Sequence, residues 1–138
     1  MTDVLRFVVD GEPVPKGRAR TRVVTPKGGK AFASHYTPPE TKAYEERVAL
    51  LCRVAAAGVR WAWTKADRFA LVVQVFRSHE GKGGDLDNYV KAISDAINGV
   101  AFGDDRYIRG IGASLQTPDP ARPRVEVEVR RLAPTRRS

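Results

Sequence analysis

A lone cysteine, Cys52, leaves this chain with no possible intrachain disulfide. Its setting, Val48-Ala49-Leu50-Leu51-Cys52, is that of a small buried hydrophobe rather than a catalytic thiol. Histidine is scarce too: His35 and His79 are not spaced as zinc ligands, and without further cysteines a zinc site is not expected. No apolar run approaches the roughly 18 residues of a membrane span. Met1 to Asp10 lacks the basic stretch, apolar core and cleavage site of a secretory signal, so a cytoplasmic protein is expected. No P-loop or dinucleotide-binding glycine pattern occurs, so no nucleotide cofactor is expected. Internal repeats are missing as well.

What is abundant is positive charge. Among 138 residues, 24 lysines and arginines face 16 acids, for a net charge of +8 and a pI near 10.1. Such an excess attracts polyanions and points to nucleic acid. Charge alone does not separate DNA from RNA, or a binder from an enzyme. The length suits one domain, and 42% apolar with 29% charged residues is ordinary for a globular one.

Val4 to Val9 reads as a strand. From Asp10 to Pro39 neither a helical nor a strand period is visible. Prolines and glycines gather there with Lys16, Arg18, Arg20, Arg22, Lys27 and Lys30, and no acid falls between Glu12 and Glu40. A long, basic, irregular segment is expected to follow phosphates. Pro39 to Ala57 predicts a helix, with Thr37 or Pro38 near its start, Tyr44, Val48, Leu51 and Ala55 at helical spacing, and Gly58 as the residue that ends it. Phe69 to Phe76 is apolar almost throughout, hence a central strand. Trp61 and Trp63 are read as core or dimer packing rather than base stacking. Leu86 to Ile97 predicts a second helix, with Leu86, Val90, Ile93 and Ile97 on one stripe, Asp87, Asn88, Lys91 and Asp95 opposite, and Gly99 at its end. Tyr107 to Gln116 and Arg124 to Arg130 read as strands. The order β-loop-α-β-α-β-β implies an α+β single domain, a mixed sheet of about four strands packed with two helices over residues 1–132, and a disordered basic tail at 133–138.

Gly83-Gly84-Asp85-Leu86-Asp87-Asn88 is the most unusual segment. Two aspartates one residue apart point to the same side if the backbone is extended, and such like charges repel unless a cation sits between them. Magnesium wants oxygen ligands, usually one or two carboxylates with phosphate and water. A second acidic pair, Asp104-Asp105, follows the helix. The helix carries the chain away by about 17 Å at roughly 1.5 Å per residue. Seven or so extended residues return about 23 Å, so Asp104 or Asp105 can reach the mouth of the helix. Lys91, one turn after Asp87, could stabilise charge at a phosphate or hold a carboxylate or the attacking water. Each residue also has an ordinary role: helix capping for Asp85 and Asp87, a turn for Asp104-Asp105, an ion pair with Asp87 or Asp95 for Lys91. Together, in a basic protein, they favour a metal site.

Asp85-Leu86-Asp87-Asn88, then Lys91-Ala92 and Asp95-Ala96, then Gly103-Asp104-Asp105, resemble the RusA family of Holliday-junction resolvases. Glu12-Pro13-Val14-Pro15-Lys16-Gly17-Arg18-Ala19-Arg20 and Tyr36-Thr37-Pro38 resemble its phage-type members. The resemblance implies a homodimeric endonuclease of recombination and repair that depends on magnesium, with manganese as a substitute, and makes paired symmetric nicks in four-way or branched DNA. It implies Asp85, Asp87 and Asp105 as metal-binding and catalytic acids and Lys91 as the essential amine; Asp104 matches a family aspartate too. Where some members carry several arginines before the first acid, Gly81-Lys82-Gly83-Gly84 has one lysine. The expected DNA grip is therefore Lys82 with Lys16, Arg18, Arg20, Arg22, Lys27 and Lys30. The rival readings are a non-catalytic basic nucleic-acid-binding protein, a metal nuclease for other branched or flapped DNA, and an interaction subunit whose acids only cap helices.

Overall fold

The computed structural model describes residues 3–17, 20–36, 38–81 and 83–134, with backbone only at 20–22, 24 and 32–36. The chain runs β1 (Val4–Asp10), β2 (Arg20–Val24), β3 (Phe32–Tyr36), α1 (Pro39–Gly58), β4 (Phe69–Phe76), α2 (Leu86–Ile97), a 3-10 turn at Asp105–Tyr107, β5 (Ile108–Leu115) and β6 (Arg124–Arg131). The α+β reading holds. Four strands form one mixed sheet in the order β1-β6-β4-β5. β4 and β5 are parallel because α2 crosses between them, whereas β6 is antiparallel to both β1 and β4. β4 lies inside the sheet, as its apolar run requires.

One sheet face packs on the helices. Leu5 and Val9 of β1, Leu71, Val73 and Val75 of β4, and Val125, Val127 and Val129 of β6 are buried at alternate positions. Thr41, Tyr44, Val48 and Cys52 of α1 and Tyr89, Ala92, Ile93 and Ile97 of α2 close over them. Each such aliphatic side chain contributes about 1.5–3 kcal/mol on leaving water. Cys52 is wholly buried, and loss of solvent pushes its thiol up to about 12, so it is inert.

Two expectations change. The segment after β1 is not irregular throughout: β2 and β3 pair as a separate antiparallel hairpin, Arg20 opposite Tyr36 and Val24 opposite Phe32. The hairpin turns through Gly28 at φ 78, and the Gly29 amide donates to the Pro26 carbonyl at 2.9 Å. Five-residue strands without apolar alternation give no periodic signal. The second change is at the end of α1. Gly58 is still helical, and Arg60, at φ 53, is the left-handed residue instead. Its amide donates to Ala57 and that of Trp61 to Ala56, the paired bonds of a Schellman ending. Among the described residues no helix is long and apolar enough to cross a membrane. Residues 135–138 of the predicted tail lie outside the described residues.

Candidate active site

Asp85 sits at the entrance of α2 with extended backbone (φ −69, ψ 156), yet its side chain caps no helix amide. Two glycines fix this entrance. Gly83 has φ 84, and a Cβ there would overlap the Tyr89 hydroxyl. The Gly84 backbone hydrogen-bonds that hydroxyl, whose phenol pKa is raised by burial against the opposing pull of Arg77 and this bond. Tyr89, a residue of the α2 core stripe, thus seats the turn that delivers Asp85.

Asp87 lies in the first helical turn. The chain is therefore not extended across Asp85 and Asp87, and the same-side geometry of a strand does not apply to them. Asp87 instead shares a helix face with Lys91 and Asp95, at four-residue intervals. These three, with Leu86, Val90, Ser94, Asp105, Ile111 and Ala113, line one groove of about 480 Å³ between α2 and β5. Asp85 does not line it. Lys91 forms no ion pair with Asp87 or Asp95, although it lines the same groove.

The second acidic pair is divided in its work. Asp104 accepts the Arg106 amide at 3.0 Å and so caps the 3-10 turn. Asp105 is exposed to the groove. The Arg106 amide, then the bond to Asp105, holds Asp104 below the usual carboxylate range. Asp105 is raised above it, first by its hydrogen bond to Asp104, then by desolvation and the charges of Asp104 and Asp95. The loop delivering this pair is held by tryptophans. Trp61 donates to the Ala101 carbonyl at 2.8 Å and Trp63 to Val100 at 3.1 Å. A Cβ on Gly103 would meet the Trp63 ring at 2.8 Å.

Asp105 lines the groove that also holds Leu86 and Asp87 at the start of α2. Asn98 bridges Phe102 and the Gly99 amide donates back to the Phe102 carbonyl, so the connection is a tight turn and not an extended run. The α2 acid whose charge Asp105 feels is Asp95. Accordingly, among the described residues no three His, Cys, Asp or Glu side chains stand close enough to hold one metal ion.

Lys16 also departs from the expected phosphate track. Its ammonium pairs with Glu45 of α1 at 2.5 Å and Asp95 at 3.2 Å. Burial lowers its pKa, but the bonds to Glu45 and Asp95 outweigh that and raise it. Its own amide donates to the Asn88 carbonyl at 2.8 Å. Lys16 is a tie between α1, α2 and the loop, neutralised where it stands. Sequence spacing holds no sign of this, since its partners lie far along the chain. Lys27 and Lys30 are exposed around the hairpin turn, and Arg20 and Arg22 lie on β2. Arg18 and Lys82 lie outside the described residues.

The donor chemistry, carboxylate oxygen alone with one nearby amine, suits a hard divalent cation and no soft one. Residues 10–130 match the model of the endodeoxyribonuclease RusA family, and the chain belongs to that family. Membership implies the endonuclease activity of a Holliday-junction resolvase. The uncharacterized protein YqaN of Bacillus subtilis (strain 168) is 27% identical over 151 aligned positions, which cover 95% of this chain and 99% of that protein.

Proposed function

We propose that this protein is a magnesium-dependent resolvase that cuts four-way DNA junctions as a homodimer, in recombination and repair. One observation carries the reading: Asp87, Lys91, Asp95 and Asp105 line a single groove, and of its three acids only Asp95 has an ion-pair partner among the described residues. Acids left facing one another in a protein of net charge +8 call for a cation, not for a phosphate alone. Asp85, Asp87 and Asp105 would hold the magnesium, or manganese in its place. A divalent ion held by these acids would supply a water of lowered pKa and shielding of the phosphate charge. Lys91 faces the developing phosphate charge. Asp104, by capping the turn, orients Asp105. Arg18, Arg20, Arg22, Lys27, Lys30 and Lys82 follow the DNA backbone; Lys16 leaves that group because two carboxylates neutralise it.

The test is cleavage of an end-labelled four-way junction, a flap, a linear duplex and a single strand, with and without magnesium, beside Asp85→Asn. The expected result is paired nicks in the junction, lost with chelator or substitution while binding persists. Cutting without a divalent ion defeats the metal assignment; binding with no cutting of any substrate defeats the enzyme. Preferential cutting of the flap moves the substrate and keeps the chemistry.

A further inference from the structure

Arginine has two fates on this chain. Arg6, Arg122, Arg124, Arg130 and Arg131 each meet a carboxylate at 2.7 or 2.8 Å. Arg68, Arg106 and Arg109 form no ion pair among the described residues, although the fold gathers them around one ring. Phe69 of β4 is in register with Ile108 of β5, so Arg68 and Tyr107, one residue earlier in each case, are neighbours. The Arg68 guanidinium lies 4.8 Å from the centre of the Tyr107 ring and that of Arg106 5.1 Å, both within cation–π range. Arg106 donates to the Tyr107 hydroxyl at 3.3 Å and Arg109 to the Arg106 carbonyl at 2.6 Å. Arg68 donates to the Lys65 and Asp67 carbonyls, both at 2.8 Å. A guanidinium has five donors, so these bonds orient the three groups and leave donors and charge for a ligand. Arg106 and Arg109 are exposed.

This cationic patch adjoins the acids. Ser94, Asp105 and Ile111 of the groove between α2 and β5 also line a second hollow, of about 400 Å³, together with Arg109. The groove therefore continues past Asp105 into a stretch whose charge is positive. We propose that Arg106 and Arg109, held by Tyr107 and backed by Arg68, bind the phosphates of the DNA strand that neighbour the cut. The forked guanidinium suits phosphate oxygens, and two of them following one another along an open groove suit a repeating anion. They also offset a cost of the site itself, since the groove acids repel DNA whenever no cation lies between them. Phosphate contacts carry no base information, so the patch sets the position of the strand and not its sequence. This rests on the resolvase reading above and deepens it, naming the surface along which the strand leaves the acids.

Neutral phosphates test it. A single methylphosphonate is walked along one strand of a four-way junction through the crossover, and binding is measured with chelator present. At one or two positions the wild-type protein should bind more weakly, by up to about 5-fold each, the worth of an exposed ion pair. Arg106→Ala with Arg109→Ala should weaken binding to the unmodified junction and flatten its salt dependence by up to about 2 in logarithmic slope. The same variant should be indifferent to the linkages that the wild type senses. A variant as sensitive as the wild type to every linkage, or one of unaltered slope, overturns the patch. Arg106→Gln keeps the answer within reach if the double variant melts early, because that exposed side chain bonds only Tyr107; it should lose about 1 in slope. Wild-type protein that cuts junctions while the variants keep its slope leaves the resolvase standing and removes the patch. Loss of slope in a protein that cuts no DNA defeats the nuclease and leaves the patch standing.

Discussion

Two concavities on this molecule are lined with charge, and they are built on opposite plans. On the open sheet face, a cleft of about 330 Å³ is bordered by Arg6, Glu126 and Glu128. There Glu128 pairs with Arg6 and Arg130, both at 2.7 Å, and Glu126 with Arg124 at 2.8 Å, itself paired with Asp119. In the groove between α2 and β5, Asp87, Lys91 and Asp105 make no ion pair with any described residue. The same kinds of side chain pair with one another in one place and in the other have no ion-pair partner among the described residues. Charge count does not distinguish the two; pairing does.

The largest effect that separates them is on catalysis. Asp105→Asn should lower junction cleavage by at least about 100-fold, beyond what loss of a supporting residue costs. It should leave thermal stability unchanged or raise it. The sign follows from the raised pKa of Asp105: the folded state holds its proton more tightly than the unfolded chain, so stability falls as pH climbs through that raised value. Asparagine cannot ionise and escapes the loss. A variant that melts earlier at neutral pH would class Asp105 with the paired charges of the sheet face.

Next comes Gly83→Ala. It combines a left-handed φ of 84 with a collision against the Tyr89 hydroxyl. About 2–3 kcal/mol of destabilisation is expected in a urea melt, with cleavage reduced because Asp85 moves. A cost within about 0.5 kcal/mol, typical of plain surface sites, would mean that Tyr89 does not seat the turn.

These positions show what the sequence discloses and what it withholds. β4, α2 and the acids of α2 are legible because continuous apolar runs and helical spacing are local properties. The order of β4 and β5 follows, since a helix between two strands makes them parallel neighbours. The hairpin is hidden because RTRVV and FASHY present no apolar alternation. Chain reach sets only an upper bound on where Asp105 can lie, and the turn at Gly99 to Phe102 uses little of it. Trp63 against Gly103 and Lys16 between Glu45 and Asp95 are meetings of distant segments, which no local pattern encodes.

Lys16 and the hairpin lysines extend the comparison to DNA binding. Lys27→Ala with Lys30→Ala should weaken junction binding and flatten its dependence on salt by up to about 2 in logarithmic slope, one for each phosphate no longer neutralised. Lys16→Met should leave the slope unaltered, because two carboxylates already occupy its ammonium. A drop of about 1 on losing Lys16 would return it to the phosphate track.

The smallest effect belongs to the sheet face. Glu128 is held below the usual glutamate range first by its hydrogen bond to Arg130, then, against some desolvation, by Arg6. A depressed carboxylate contributes stability that is present above its unfolded pKa and lost as pH falls through the folded one. Both arginines are largely exposed, so the contribution is screened, and Glu128→Gln should cost no more than about 1 kcal/mol at neutral pH. The gap between wild type and variant should close below the ordinary glutamate range, and junction cleavage should not change at any pH where both are folded. A variant that folds well but cuts poorly would make the outer cleft part of the active surface, and pairing of charges would no longer tell scaffold from site.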